Sequence, residues 1–119
     1  MTPATPWEDL FLAHEPDPAA GPIAVEMGYR INPANAEDFL SAISQMRAPR
    51  RRDGATLWRV YRDLSDPSRY VERFIVTSWA AYLHQRARAT QADQEIEGHL
   101  RTFLLPGESV SMQHYIAER

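Results

Sequence analysis

Aromatic and arginine side chains are concentrated in the middle of the sequence, between Gly54 and Thr90. The group considered as a site includes Trp58, Arg59, Tyr61, Arg62, Tyr70, Arg73, Phe74, Trp79, Tyr82, His84 and Arg86. Aromatic walls hold flat apolar ligands, and a few polar groups between them orient a carbonyl, a phenol or a carboxylate. We therefore expect a site for a small-molecule substrate here. The alternative is that the aromatic residues form core and interface, with the arginines at the rim or paired with Glu72.

Three residues of this group are predicted to be catalytic. His84 could move a proton near neutral pH or act as an axial haem ligand, because a neutral imidazole suits both roles. Arg86 could stabilise an enolate or a phenolate, and Tyr61 would stand in the aromatic wall. A solvent-facing histidine on a helix is the alternative for His84, and His114 could also reach a cavity from its strand. The predicted substrate-binding residues are Tyr29, Trp58, Arg59, Arg62, Phe74, Trp79 and Tyr82.

The familiar catalytic and nucleotide-binding patterns are absent from the sequence. It has no phosphate-cradling glycine loop, dinucleotide fingerprint, metalloprotease histidine pair or nucleophile elbow. It has no cysteine either, so it can form no disulfide or thiolate metal site. Its four histidines lie on different predicted elements and offer no metal spacing. We therefore predict neither a metal nor a cofactor.

Length and charge narrow the functional classes. A chain of 119 residues suits one domain with one hydrophobic core. The net charge of -3, from 16 acidic and 13 basic residues, argues against nonspecific binding to nucleic acid or to an anionic membrane. No apolar stretch approaches the roughly 20 residues that span a bilayer, and the start of the chain lacks the pattern of a signal peptide. We expect a cytoplasmic protein.

Alternating apolar residues predict the first strand, from Ile23 to Ile31. Asn32 suits the N-cap of a following helix, and a proline follows it at the first helical position. This helix should end near Arg47, because Pro49 biases the residue before it away from the helical region. The three arginines from Arg50 to Arg52 would then lie in a loop.

The rest of the chain predicts a hairpin, a helical region and a last strand. Two β-rich runs, at 55–63 and 69–78, are joined by a turn that contains Pro67. Ser78 can cap the next helix, and Thr90 with Asp93 forms the pattern of a capping box, so the helical region should break there. The last strand should cover 109–116.

The predicted order β-α-β-β-α-β is the ferredoxin-like arrangement, an α+β fold in which helices cover one face of an antiparallel sheet. Large apolar residues stand on both faces of the hairpin. A monomer would leave one of these faces in water, at about 25 cal/mol per Å² of apolar surface. We therefore expect a homodimer that packs sheet against sheet.

The first 22 residues are predicted to form a proline-rich arm in front of a domain at 23–119. Five of the nine prolines lie in this arm, which favours an extended chain. Trp7, Leu10, Phe11 and Leu12 would be wasteful in a free tail, so we expect the arm to dock on its own domain or on a partner chain. A disordered linker is the alternative.

Several motifs resemble a known family. They are Arg52-Asp53-Gly54-Ala55, the turn and strand from Asp63 to Glu72, and Ser78-Trp79. The chain resembles, from about Glu15 to Glu118, the C-terminal soluble domain of the transmembrane secretion effector group of major facilitator exporters. That domain is similar to antibiotic biosynthesis monooxygenases.

The resemblance implies a dimeric α/β barrel and a pocket between the sheet and the helices of each subunit. Relatives of this kind oxidise or rearrange aromatic polyketides without a metal or flavin, or in another branch bind haem. Trp58, Tyr61, Trp79 and Arg86 are the candidates for such a pocket here. The sequence departs from the expected histidine pattern, since Tyr82 and Arg86 stand where the exporter-domain helix would carry histidines.

Two functional hypotheses follow. The first is a small cofactor-independent enzyme of natural-product biosynthesis that oxygenates, cyclises or rearranges an aromatic or polycyclic substrate. The second is a non-enzymatic ligand-binding or dimerisation domain related to the cytosolic tail of a drug exporter. An enzyme should show a buried ionisable group that faces a cavity, whereas a dimerisation module should have its aromatic cluster fully packed.

Overall fold

A computed structural model describes residues 12–119, which fold into one four-stranded antiparallel sheet with helices on one side. The strands are β1 (Ile23–Arg30), β2 (Leu57–Arg62), β3 (Arg69–Val76) and β4 (Ser111–Ile116). The helices are α1 (Ala36–Ile43), α2 (Arg47–Arg52), α3 (Trp79–Ala87) and α4 (Gln91–Arg101). The strand order β2-β3-β1-β4 confirms the predicted ferredoxin-like fold of class α+β.

The register of the sheet assigns every strand residue to one of two faces. Trp58 pairs with Phe74, Phe74 with Val25, and Val25 with His114, so these four side chains form one row. This row lies on the inner face, which packs against the helices and is largely buried. The outer face carries the alternate residues, which include Ala24, Leu57, Arg59, Tyr61, Arg73, Ile75 and Tyr115.

The helix after β1 is longer than the sequence predicts. A 3-10 turn at Ser44–Met46 joins α1 to α2, and α2 runs on to Arg52. The prediction of a helix end near Arg47 is therefore wrong, and the three arginines lie on a helix. Pro49 falls in the first turn of α2, where the backbone N–H groups have no partner within the helix, so a missing N–H costs little.

The predicted break between α3 and α4 is confirmed. The Thr90 hydroxyl accepts a hydrogen bond from the Asp93 backbone N–H, and the Asp93 carboxylate accepts one from the Thr90 N–H. Asp93 also accepts a bond from Arg52 at 2.7 Å, which ties the end of α2 to the start of α4. The Ser78 hydroxyl caps α3 by accepting from Ala81 N–H at 3.1 Å.

The core consists of two apolar clusters. One surrounds Trp79 and Tyr82 at the β1, β3 and α3 contact, and the other surrounds Phe39 between α1, α4 and the sheet. Met27 and Trp58 pack against both clusters. The buried charges described below contact these same two residues, so they lie where the clusters meet.

The described part of the predicted arm contacts the domain. The carbonyl of Ala20 accepts from Trp79 N–H at 2.8 Å, and the carbonyl of Pro18 accepts from Ala80 N–H at 2.9 Å. Leu12 packs against the cluster around Trp79. Trp7, Leu10 and Phe11 lie outside the described residues, so docking of the whole arm stays a prediction. Among residues 12–119, no helix is long and apolar enough to span a membrane.

Candidate functional site

A small cavity lies between the inner face of the sheet and helices α2, α3 and α4. Its volume is about 50 Å³, against about 300 Å³ or more for pockets that hold drug-sized ligands. Met27, Phe74 and Met112 supply its sheet side, and Ala89 and the partly exposed Glu97 lie on the helix side. The other lining residues are Arg50, Tyr82, Gln85 and Arg86. A polycyclic substrate therefore cannot enter whole without movement of these side chains or helices.

A buried carboxylate holds one side of the cavity together. Glu72 stands on the inner face of β3 and has no exposed surface. Arg50 donates from Nε to Oε2 at 2.9 Å and from Nη2 to Oε1 at 3.2 Å. The indole nitrogen of Trp58 donates to Oε2 at 2.8 Å. Glu72 thus fixes a cation from α2 and an aromatic ring from β2 in one geometry.

The Arg50 guanidinium is oriented by three further contacts. It lies over the Phe74 ring, 4.6 Å from the centroid, and Nη2 donates to the Met27 sulfur at 3.3 Å. Glu97 of α4 lies 3.9 Å from Nη1. Burial works against the charge, but the attraction of Glu72 raises the pKa of Arg50 above its usual value. Arg50 is therefore a fixed positive charge at the cavity wall.

A chain of three polar side chains begins at the other wall, which Arg86 and Tyr82 line. Arg86 of α3 donates from Nη1 to Tyr82 Oη at 2.7 Å, and His114 Nε2 of β4 lies 2.8 Å from the same oxygen. A guanidinium can only donate, so the Tyr82 hydroxyl keeps its own proton to donate. Neutral His114 can accept that proton at Nε2. The geometry thus favours the order Arg86 to Tyr82 to His114.

Burial sets the protonation of this chain. It lowers the pKa of His114 to about 4, and the nearby positive charge of Arg86 adds to the effect. It also raises the pKa of Tyr82, although the charge of Arg86 opposes that change. At neutral pH the imidazole is therefore neutral and the phenol is protonated. One hydrogen bond of 2.8 Å joins the two groups.

Gln85 brings an amide to the cavity without a partner. The residue is 5% exposed, and within residues 12–119 its Nε2 atom has no hydrogen-bond partner. It lies three residues after Tyr82 on α3, on the same side of the helix. A buried donor without a partner is rare in native proteins and calls for an explanation.

The structure brings some of the predicted site residues together. Phe74, Tyr82 and Arg86 line the cavity, and Trp58 is linked through Glu72 to Arg50, which also lines it. Trp79 packs against the rings of Tyr82 and His114, with centroids 5.4 and 5.9 Å apart. Tyr29 is buried in the other cluster beside Phe39, and burial together with the charge of Glu72 raises its pKa.

Other predicted residues stand apart from the cavity. Arg59 and Tyr61 lie on the outer face, with the sheet between them and Arg86. Arg62 is exposed at the end of the edge strand β2, and His84 is exposed on α3. In the single chain, therefore, the predicted catalytic group of His84, Arg86 and Tyr61 does not form one site. His84 matches the alternative of a solvent-facing helical histidine.

Three site residues were not identified from the sequence. Arg50 was assigned to a loop because of Pro49, and Gln85 resembles any polar residue on a helix. Glu72 did carry a signal, because it occupies an inward position between Tyr70 and Phe74 in an alternating strand. A charge at such a position needs a buried partner. Within residues 12–119, no cluster of three histidines or carboxylates could hold a metal ion.

Comparison with known proteins places the chain in one family. The sequence model described as transmembrane secretion effector matches residues 1–119, which is the whole chain. No curated protein sequence matches at a significant level.

Solved structures with the same fold share little sequence with the chain. A Caulobacter crescentus protein, named as a candidate antibiotic biosynthesis monooxygenase, is 16% identical with a TM-score of 0.70 and 85% and 93% of the two chains covered. A similarly named protein from Nitrosomonas europaea is 12% identical, with a TM-score of 0.69 and 83% and 92% covered. A mutant of SnoaB, a cofactor-independent oxygenase from Streptomyces nogalater, is 18% identical, with a TM-score of 0.64 and 82% and 93% covered. At these identities the likeness establishes the fold.

Proposed function

We propose, since the chain belongs to the transmembrane secretion effector family and folds like the oxygenases named above, that it is a cofactor-independent enzyme acting on an aromatic or polyketide-like metabolite. The observation that carries the proposal is the Arg86, Tyr82 and His114 chain beside a cavity. The reaction class is an oxygenation, cyclisation or rearrangement that begins with removal of a proton from the substrate. We also propose that the protein is a homodimer and that it lies in the cytoplasm.

The first step would be a proton relay. A substrate phenol or enol passes its proton to Tyr82 Oη, and the Tyr82 proton passes to His114 Nε2. The products are a phenolate or enolate on the substrate and an imidazolium at His114, so charge is conserved. The anion would lie near the guanidinium groups of Arg50 and Arg86, which stabilise it. An oxygenation would then use dioxygen as co-reactant.

The low pKa of His114 restricts when the relay can operate. A base with a pKa of about 4 does not take the proton of a free phenol at neutral pH. An anion forming beside the imidazole raises its pKa, because an opposite charge favours the protonated form. The relay would therefore operate only when the substrate is in place.

Tyr82→Phe is the direct test. It removes the relay oxygen and keeps the ring, so we expect turnover to fall about 10²- to 10⁴-fold while ligand binding changes little. Purified protein would be mixed with candidate phenols, aromatic ketones and quinones, with binding followed by tryptophan fluorescence and products by mass spectrometry. Tyr115→Phe on the outer face is the matched control. Equal turnover by both variants would refute the role of the relay.

A non-enzymatic ligand-binding or dimerisation domain, related to the cytosolic tail of a drug exporter, is the second candidate. The observation that favours it is the outer face, where Leu57, Tyr61 and Tyr115 are 56%, 47% and 48% exposed in the single chain. The small volume of the inner cavity also fits a protein that performs no chemistry. Binding without turnover for every compound tested would favour this candidate over the enzyme.

A further inference from the structure

We infer that Gln85 orients the ligand of the inner cavity, and that this ligand presents an acceptor oxygen, a carbonyl or an ionised phenol, to the Gln85 amide nitrogen. The inference rests on the proposed function, because it names a ligand class for the same cavity. Its starting point is the buried Nε2 atom, which lacks a hydrogen-bond partner in the described part of the chain.

The chemistry of the cavity wall explains why a protein acceptor is missing. Both oxygens of Glu72 are taken by Arg50 and Trp58. The two methionine sulfurs are weak acceptors, and each already receives a guanidinium, Met27 from Arg50 and Met112 from Arg86. Glu97 also lines the cavity, but its carboxylate is partly exposed and lies 3.9 Å from Arg50 Nη1. The other polar groups of the wall are mainly donors, so a ligand that binds beside them should bring an acceptor.

The position of Gln85 on α3 relates this donor to the proposed proton relay. Gln85 and Arg86 follow Tyr82 by three and four residues, which places the three side chains along one side of α3. Ala89, just beyond the end of the helix, lines the same cavity. A ligand oxygen held by Gln85 would therefore bring its neighbouring atoms towards Tyr82 Oη. The cavity has room for the oxygen-bearing edge, and a ring would extend past Ala89 and Glu97.

Ligand capture and a purely structural role predict different effects of substitution. Gln85→Met keeps the length of the side chain and removes the amide. If the amide serves only the ligand, its removal relieves a buried donor, and the melting temperature should stay the same or rise. If the amide stabilises the fold, the melting temperature should fall.

The binding test uses two probes of similar size. 1,4-Naphthoquinone carries carbonyl acceptors, whereas 1,4-dimethylnaphthalene carries no acceptor, and the absence of cysteine removes the thiol that a quinone would alkylate. We expect the wild-type protein to prefer the quinone by about five- to tenfold, the worth of one hydrogen bond. Gln85→Met should abolish this preference. Gln85→Glu, which replaces the donor by an acceptor, should abolish it as well and serves if Gln85→Met does not fold.

The outcomes separate the two proposals. If the wild-type protein binds neither probe, the proposed function fails for this ligand class and the role of Gln85 fails with it. If the wild-type protein binds the quinone and the folded variants keep the preference, only the inference about Gln85 is overturned. Loss of the preference at an unchanged or higher melting temperature supports the inference.

Discussion

Glu72→Gln tests the buried ion pair that forms one wall of the cavity. Glu72 has no exposed surface, and the Arg50 side chain is 12% exposed. Glutamine keeps the shape but leaves the guanidinium without its counter-charge, and breaking a buried pair in this way costs about 3–5 kcal/mol. We expect about 3 kcal/mol, the lower end of that range, because the glutamine oxygen still accepts a hydrogen bond and Glu97 lies 3.9 Å from Arg50.

Thermal and urea denaturation measure this loss. The entropy of unfolding is about 2.1 cal/mol/K per residue, which for a chain of this length makes a loss of 3 kcal/mol equal to a fall of about 12 °C in melting temperature. The denaturant midpoint should fall with an unchanged slope, because the same surface is exposed on unfolding. Circular dichroism would confirm that the variant still folds.

Two further variants decide whether the lost charge of Glu72 causes the loss of stability. Glu108→Gln removes a carboxylate of similar length whose side chain is 35% exposed beside Arg30, and should cost no more than about 1 kcal/mol. The double variant Arg50→Met, Glu72→Met removes both charges and should regain part of the lost stability, because only the Trp58 indole nitrogen then lacks its partner. If Glu72→Gln costs no more than Glu108→Gln, or if the double variant is as unstable as Glu72→Gln, the reasoning is refuted.

Three other predictions follow from single features. The pKa of His114, about 4, lies below its unfolded value near 6.5. The contribution of neutral His114 to the free energy of unfolding is therefore fully present above pH 6.5 and is lost as the pH falls towards 4. NMR titration of His114 checks the pKa. Leu57→Asp should shift a sheet-to-sheet dimer towards monomer in light scattering, whereas Leu64→Asp at the 91% exposed hairpin tip should not. Thr90→Ala should cost about 1 kcal/mol in urea denaturation because it removes the cap of α4.

The fold was predictable because local signals and long-range packing agree. The alternation from Ile23 to Arg30 matches the buried face of β1, and the Thr90 capping box marks the start of α4. The error at Pro49 shows the limit of a local rule. Proline disfavours a helical conformation of the residue before it. Here the 3-10 turn at Ser44–Met46 is followed by a new helix, and Pro49 lies in its first turn, where a backbone N–H would have no acceptor within the helix.

The site was less predictable because its residues meet only through the fold. Arg50 and Glu72 are 22 positions apart, and Tyr82 and His114 are 32 positions apart. Composition identified the aromatic and arginine group but could not divide it between the faces of the sheet. A register shift of one residue would have exchanged the environments of Trp58 and Arg59.

The inner-face positions of Glu72 and His114 lead from packing to function. Each is a polar residue in a row of apolar ones. Glu72 binds Arg50 of α2 directly, and His114 contacts Tyr82 of α3, which accepts from Arg86. A buried ion pair is often no more stable than apolar residues of the same volume, so stability alone does not explain Glu72 and Arg50. What the arrangement does supply is two guanidinium groups, of Arg50 and Arg86, at one cavity. The Tyr82 hydroxyl and the Gln85 amide, whose nitrogen has no hydrogen-bond partner within residues 12–119, line the same cavity. The proposed relay and the proposed ligand contact of Gln85 would use this combination.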